Sequence, residues 1–306
     1  MNRNFINQTP IQRAAVYLIG AGFFSILGQV VILRELLVSF YGIELIYILS
    51  FGIWMIGTAL GVAIGRSSFI PKEKNIQILF LFLSALLIID IVFIRSIREI
   101  FNGVPGEYLP FTTQIMGLII ALFPASVSAG LLFQWAAKIL INENETLAGA
   151  YSIESIGGIL GGLCSTLFLN FDISNFTAGL ICSAGCIILV IYYSWLQRNT
   201  FLKYFSLTII TAVSFLFSIS GRIDAFMTSL NHPFAVESID TPYNRVTITS
   251  PGKQVCVFTD NALSYETEST SAEEFVHFSA LQCDSCDSIL VLGGGFEGII
   301  TELLKL

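Results

Sequence analysis

Leu45–Gly65 reads LIYILSFGIWMIGTALGVAIG, twenty-one residues without a charge, closed by Arg66. A helix rising about 1.5 Å per residue needs about 20 such residues to cross roughly 30 Å of hydrocarbon. Six further stretches of the same character lie on either side, at 14–33, 76–94, 111–133, 147–170, 177–196 and 204–220. The first has no small-x-small cleavage site and is long for a signal-peptide core, so it is read as a retained span. The connections are short and polar, as at Pro71-Lys72-Glu73-Lys74. An α-helical polytopic membrane bundle of about seven spans is expected.

Composition agrees. Of 306 residues, 54% are hydrophobic and 12% charged, with 26 Phe; soluble proteins are roughly 25% charged. Fifteen Lys+Arg against 22 Asp+Glu give no basic excess, which excludes nucleic acid as a partner, and six Cys are too few for a disulfide scaffold. The lipid bilayer is the implied partner, and a multi-pass place in the cell (cytoplasmic) membrane follows. Charge also divides the chain. Residues 1–220 hold eleven basic and ten acidic side chains, a net of +1, while 221–306 hold four and twelve, a net of −8, together the −7 of the whole. A transmembrane domain at 1–220 and an acidic soluble segment at 221–306 are expected.

Lysine and arginine in short loops set orientation. With seven spans, one face receives Arg3, Arg13, Arg66, Lys72, Lys74, Lys138, Arg198 and Lys203; the other receives Arg34, Arg95 and Arg98. Eight against three favours a cytoplasmic N-terminus and an acidic segment outside.

Within the spans, Gly57, Gly61 and Gly65 recur every four residues, and Gly157, Gly158, Gly161 and Gly162 form two overlapping small-x-x-x-small pairs. Such faces let helix backbones approach closely. Packing inside the bundle is the principal reading, with an oligomer or a moving interface as the alternative. An ionisable residue in a span is a functional candidate by default. Glu154 is the intramembrane polar candidate, as the lining of a polar cavity. Asp90 and Arg34-Glu35 lie near span ends, where charge can reach the interface.

After Pro233 the pattern becomes β. Val246–Thr249 alternates with period two, Ser250-Pro251-Gly252-Lys253 is a turn, and Gln254–Thr259 returns; this is a hairpin within a β-rich subdomain at about 234–270. Asp260-Asn261 makes a second turn, and 271–282 reads as a helix with acids in its first turn. Ser288–Leu292 is a short apolar strand, followed by Gly293-Gly294-Gly295 and a helix over Ile299–Leu306. Strand, glycine turn and helix open a Rossmann-like nucleotide site, where glycines admit a ligand and the helix N-terminus offers free N–H groups. One strand and one helix (about 288–306) do not complete a doubly wound sheet, so the chain is expected to be a C-terminally truncated piece of a longer protein.

The hairpin, acidic helix, strand and triple glycine resemble spermidine synthases, the aminopropyltransferases. The whole chain is similar to the multi-spanning spermidine synthase-like membrane proteins of bacteria, through Gly28–Leu37, the Gly57/Gly61/Gly65-Arg66 run, Ala150–Gly158, and Thr241-Pro242-Tyr243-Asn244 onward to Glu302. The resemblance implies transfer of an aminopropyl group from decarboxylated S-adenosylmethionine to a polyamine or other amine, with no metal. It implies cofactor binding by Gly293, Gly294, Gly295, Asn244 and Glu302, and substrate contacts from Tyr243, Glu273 and His277. It also implies that the catalytic Asp lies beyond Leu306. The chain departs from the family's pattern at Phe296, which stands for an Asp with Glu297 one place later, and at Ser271-Ala272, which precede the retained Glu273. The alternatives are a methyltransferase-like protein using S-adenosylmethionine, or a non-enzymatic transporter or scaffold with a degenerate cofactor domain. Cys283-Asp284-Ser285-Cys286 has half-metal-site spacing with no second pair to complete it. His232 has no evident partner in sequence.

Overall fold

The computed structural model describes residues 9–67, 71–103, 108–267, 270–282, 288–293 and 297–306. Its long helices are α1 (Pro10–Ser39), α2 (Glu44–Ser67), α3 (Glu73–Arg95), α5 (Phe111–Asn142), α6 (Leu147–Asn170), α7 (Asn175–Leu196) and α8 (Thr200–Ser218), with the short α4 (Ile97–Ile100) after α3. These seven long helices are long and apolar enough to cross a membrane, and each coincides with an expected span. They overrun the apolar windows where capping and polar contacts extend them. Thr9 and Gln12 form a capping box ahead of Pro10, which satisfies N–H groups that a helix start leaves open.

Short connections make successive helices alternate in direction. The C-terminal ends of α1, α3, α6 and α8 therefore share a face with the N-terminal ends of α2, α5 and α7. Helix α9 (Ser220–Asn231) follows α8 onto that face, and the boundary expected at 220/221 falls beside the α8–α9 break.

The most extensive helix pairings are α2 with α5 and α1 with α6. Glycine makes both possible. A Cβ on Gly61 would lie 2.1 Å from the Val127 carbonyl oxygen, and one on Gly157 2.1 Å from that of Ile19. The two glycine faces thus meet helices of the same chain. On the outside, α2 exposes Ile48, Met55 and Ile56, and α6 exposes Ile156, Ile159 and Leu163, as lipid-facing surfaces require.

The C-terminal part contains an antiparallel meander of β1 (Ala235–Asp240), β2 (Arg245–Thr249), β3 (Cys256–Thr259) and β4 (Ala262–Glu266). Thr247 faces Phe258 and Ile239 faces Val246 in register. The expected hairpin is β2–β3. Asp260 and Asn261 turn β3 into β4 with φ of 48° and 63°, the left-handed pair that a two-residue hairpin loop of matching twist needs. Strand β2 buries Arg245, Thr247 and Thr249 and leaves Val246 and Ile248 half-exposed, so its polar face is turned inward.

Helix α10 (Ser271–Ala280) begins where expected and ends two residues before the anticipated 282, and α11 (Ile299–Leu303) is shorter than the Ile299–Leu306 anticipated. The Rossmann-like opening is not formed as a strand. Residues 288–292 have no β partner among the described residues, and Leu290 and Leu292 are 82% and 87% exposed. A strand persists only where a neighbour takes its N–H and C=O groups, and none of the described residues does so here.

Candidate functional site

Glu35 sits one turn before the end of α1, fully buried. Arg95, the last residue of α3, donates to it through Nε (2.9 Å) and Nη2 (2.8 Å). Arg245, the first residue of β2, donates to it through Nη2 (3.0 Å) and Nη1 (3.3 Å). Asn175, the first residue of α7, adds its Nδ2 at 2.9 Å.

The two arginines reach outward as well. Arg245 Nε and Nη2 bind Asp240 at 2.7 and 3.0 Å, and Arg95 Nη1 binds Asp224 on α9 at 2.6 Å. Asp240 Oδ2 accepts the backbone N–H of Asn175 at 2.8 Å, where a carboxylate favours a helix N-terminus. Three carboxylates and two guanidiniums thus join α1, α3, α7, α9, β1 and β2. Burial alone would push the Asp240 carboxyl up. The Arg245 guanidinium and the hydrogen bonds it receives outweigh that and hold it below the usual carboxylate range. Burial likewise opposes charge on Arg245, but Glu35 and Asp240 hold its guanidinium well above the ordinary arginine range.

Beside this cluster, Arg34 Nη2 donates to the Thr241 carbonyl at 2.7 Å. A cleft of 380 Å³ opens there between bundle and sheet, lined by Arg34, Tyr47, Tyr243, Asn244 and Asp260 among others. Burial pushes the Asp260 carboxyl up, which the N–H of Arg245 offsets only in part. A second cleft, of 700 Å³, holds Tyr41, Arg98, His232 and Phe258. His232 Nε2 is 3.0 Å from Asn261 Oδ1 and its ring centroid 4.4 Å from that of Phe258. Burial lowers its affinity for a proton, and the bond to Asn261 only partly restores it.

The residues expected at a cofactor site are spread over several places. Gly293 adopts a left-handed φ of 80°, with nothing among the described residues within 4 Å of where a Cβ would stand. It lines a 600 Å³ cavity with Ser264, Tyr265, Ser271 and Glu297, between α10, α11 and the extended 288–292 segment. Gly294, Gly295, Phe296, Cys283 and Cys286 lie outside the described residues. Glu302 is bound by Lys305 Nζ at 2.5 Å. Asn244 closes the β1–β2 turn by accepting from Thr241 Oγ1 at 2.9 Å. Tyr243 is 94% exposed beside it, and Glu273 and His277 are exposed on α10. An adenosyl ligand therefore finds volume, a left-handed glycine and one carboxylate at Gly293, without the converging set the resemblance implies.

Inside the bundle, Glu154 is half-buried on α6, where its carbonyl abuts Gly22 of α1. The carboxylate that lines an internal cavity is Asp90, 3% exposed. Among the described residues no group of three or more His, Cys, Asp or Glu is arranged to hold a metal ion.

No family model, curated protein or solved structure matches the chain.

The ion cluster is not legible in the sequence, and Asp90, which reads there as an interfacial charge, is buried at the cavity instead. Arg34-Glu35 signalled a charged span end, but the partners of Glu35 lie 60, 140 and 210 residues away.

Proposed function

We propose that the chain is a membrane-anchored protein of the aminopropyltransferase-like kind, holding an adenosyl sulfonium ligand in the cavity at Gly293. The observation that carries this reading is the 600 Å³ space walled by α10 and α11, within the roughly 300–1,000 Å³ typical of small-molecule sites. Gly293 gives a bend that leaves room for close approach, and Glu297 supplies a carboxylate suited to ribose hydroxyls. The order of motifs, from Gly28 through Tyr243-Asn244 to Glu302, supports it independently. When bound, decarboxylated S-adenosylmethionine would supply the alkyl group on its sulfonium. No transfer step is assigned, because Glu273 and His277, the groups expected to hold an amine, do not face this cavity.

The eight-to-three loop asymmetry favours a position for the cavity outside the cytoplasm, away from the pool of decarboxylated S-adenosylmethionine; the side of this segment is left open by the family reading, which favours the cytoplasm. Binding on the outer side would point to recognition of an adenosyl compound rather than to polyamine synthesis. Calorimetry on the detergent-solubilised chain tests the proposal. Saturable binding of decarboxylated S-adenosylmethionine, weakened at least tenfold by Gly293→Val, supports it. Binding of S-adenosylmethionine alone favours the methyltransferase-like alternative, and binding of neither removes the cofactor.

A further inference from the structure

The centre of the bundle carries a second site, independent of the proposed cofactor cavity. Helices α1, α2, α3, α5 and α7 converge around a space of 30 Å³. That holds a water molecule or two, since one water needs about 10–15 Å³ by this measure, and it excludes an organic amine. Asp90 is its acidic wall residue. The Oδ2 of Asp90 has no hydrogen-bond partner among the described residues.

The neighbouring hydroxyls do not compensate. Ser84 Oγ donates to the Leu81 carbonyl at 2.8 Å, and Ser183 Oγ donates to the Ser84 carbonyl at 2.9 Å; Ser25 and Trp54 also line the space, but among the described residues none of these groups bonds Asp90 Oδ2. The titratable groups facing the space from the packed helices are Cys182 and Cys186 of α7, and none of α1, α2 or α5 offers a cation to it. On the same helix, Arg95 lies five residues on, about 7.5 Å up the axis, and its guanidinium is already bound by Glu35 and Asp224. Polar clasps close both ends of three of these helices, α1, α3 and α7. Towards one face Gln77 Nε2 donates to Tyr17 Oη (2.9 Å) and Gln197 Oε1 (3.0 Å), beside the Arg13–Glu73 pair. Towards the other lies the Glu35 cluster.

An ionised carboxylate in a hydrocarbon-depth wall, with an oxygen that receives no hydrogen bond and no cation in the lining, is costly. Two ligands cancel its charge in so small a space: a proton, or a bare monovalent metal ion. The metal ion requires several oxygen ligands, and the wall is mostly aliphatic and aromatic. We propose that Asp90 is a proton-binding site, holding its proton at neutral pH in contact with cavity water.

Infrared difference spectroscopy on the whole chain in nanodiscs tests this. The expected result at neutral pH is one C=O stretch of a protonated carboxylic acid that shifts in D₂O and is lost in Asp90→Asn. No such band, or an unchanged band in Asp90→Asn, overturns the proposal. So does loss of the band when sodium replaces choline at fixed ionic strength, which would make the site a sodium site. Should Asp90→Asn not fold, Asp90→Glu is expected to move the band, and a band unmoved in that variant also overturns it.

Discussion

Glu35→Gln is the sharpest perturbation of the junction between bundle and sheet. Five N–H groups point at this carboxylate, four from Arg95 and Arg245 and one from Asn175. Removing one charge from a buried ion pair costs about 3–5 kcal/mol, because the partner is left buried without compensation. Each guanidinium here keeps a second carboxylate, Asp224 or Asp240, which places the expected loss at the lower end, about 3 kcal/mol. That is roughly a 150-fold shift in the docking equilibrium of the sheet. Hydrogen exchange in nanodiscs reads it directly: amides of β1 and β2 should exchange faster by about that factor, while those of α5 stay unchanged. An acceleration of less than about fivefold, near 1 kcal/mol, would show that the cluster does not hold the sheet.

Three further outcomes are expected. Gly61→Ala and Gly157→Ala force apart helices whose carbonyls stand 2.1 Å from the new methyl, so each should lower thermal stability in detergent by about 1–3 kcal/mol, whereas Gly162→Ala, with nothing within 4 Å, should change it by less than about 0.5 kcal/mol. Arg245→Lys keeps the charge but cannot fork between Glu35 and Asp240, and should lose about 2 kcal/mol of sheet docking by the same exchange assay. Burial lowers the proton affinity of His232 in the folded chain, so the unfolded form binds more protons below its ordinary value of about 6.5, and stability must fall as pH drops through that value; His232→Asn should flatten this dependence. The stability from Asp240, whose carboxyl is held low, is lost only below about pH 4, so the two windows are separable in a pH series.

The spans were legible because length and hydropathy are local properties, and the glycine faces because a four-residue repeat fixes a helix face. The sheet was half legible. Hairpin β2–β3 shows its alternation, but β1 reads Ala-Val-Glu-Ser-Ile-Asp, and the inward face of β2 is Arg245, Thr247 and Thr249, which no apolar alternation reveals. That face is polar because it meets the ion cluster, and the cluster exists only once residues 60 to 210 positions apart are brought together. Asp90 looked like an interfacial charge; α3 continues to Arg95, and α1, α5 and α7 cover the turns between. The apolar run at 288–292 suggested a strand from composition alone, whereas strand formation depends on a neighbour.

Sidedness tests the account most directly, because the ion cluster fixes the acidic sheet to the face opposite the basic loops. A paired phosphatase and fluorescent-protein reporter fused after Leu306 should give an active phosphatase and a dark fluorophore, placing the sheet outside the cytoplasm. A fluorescent fusion without phosphatase activity would contradict it.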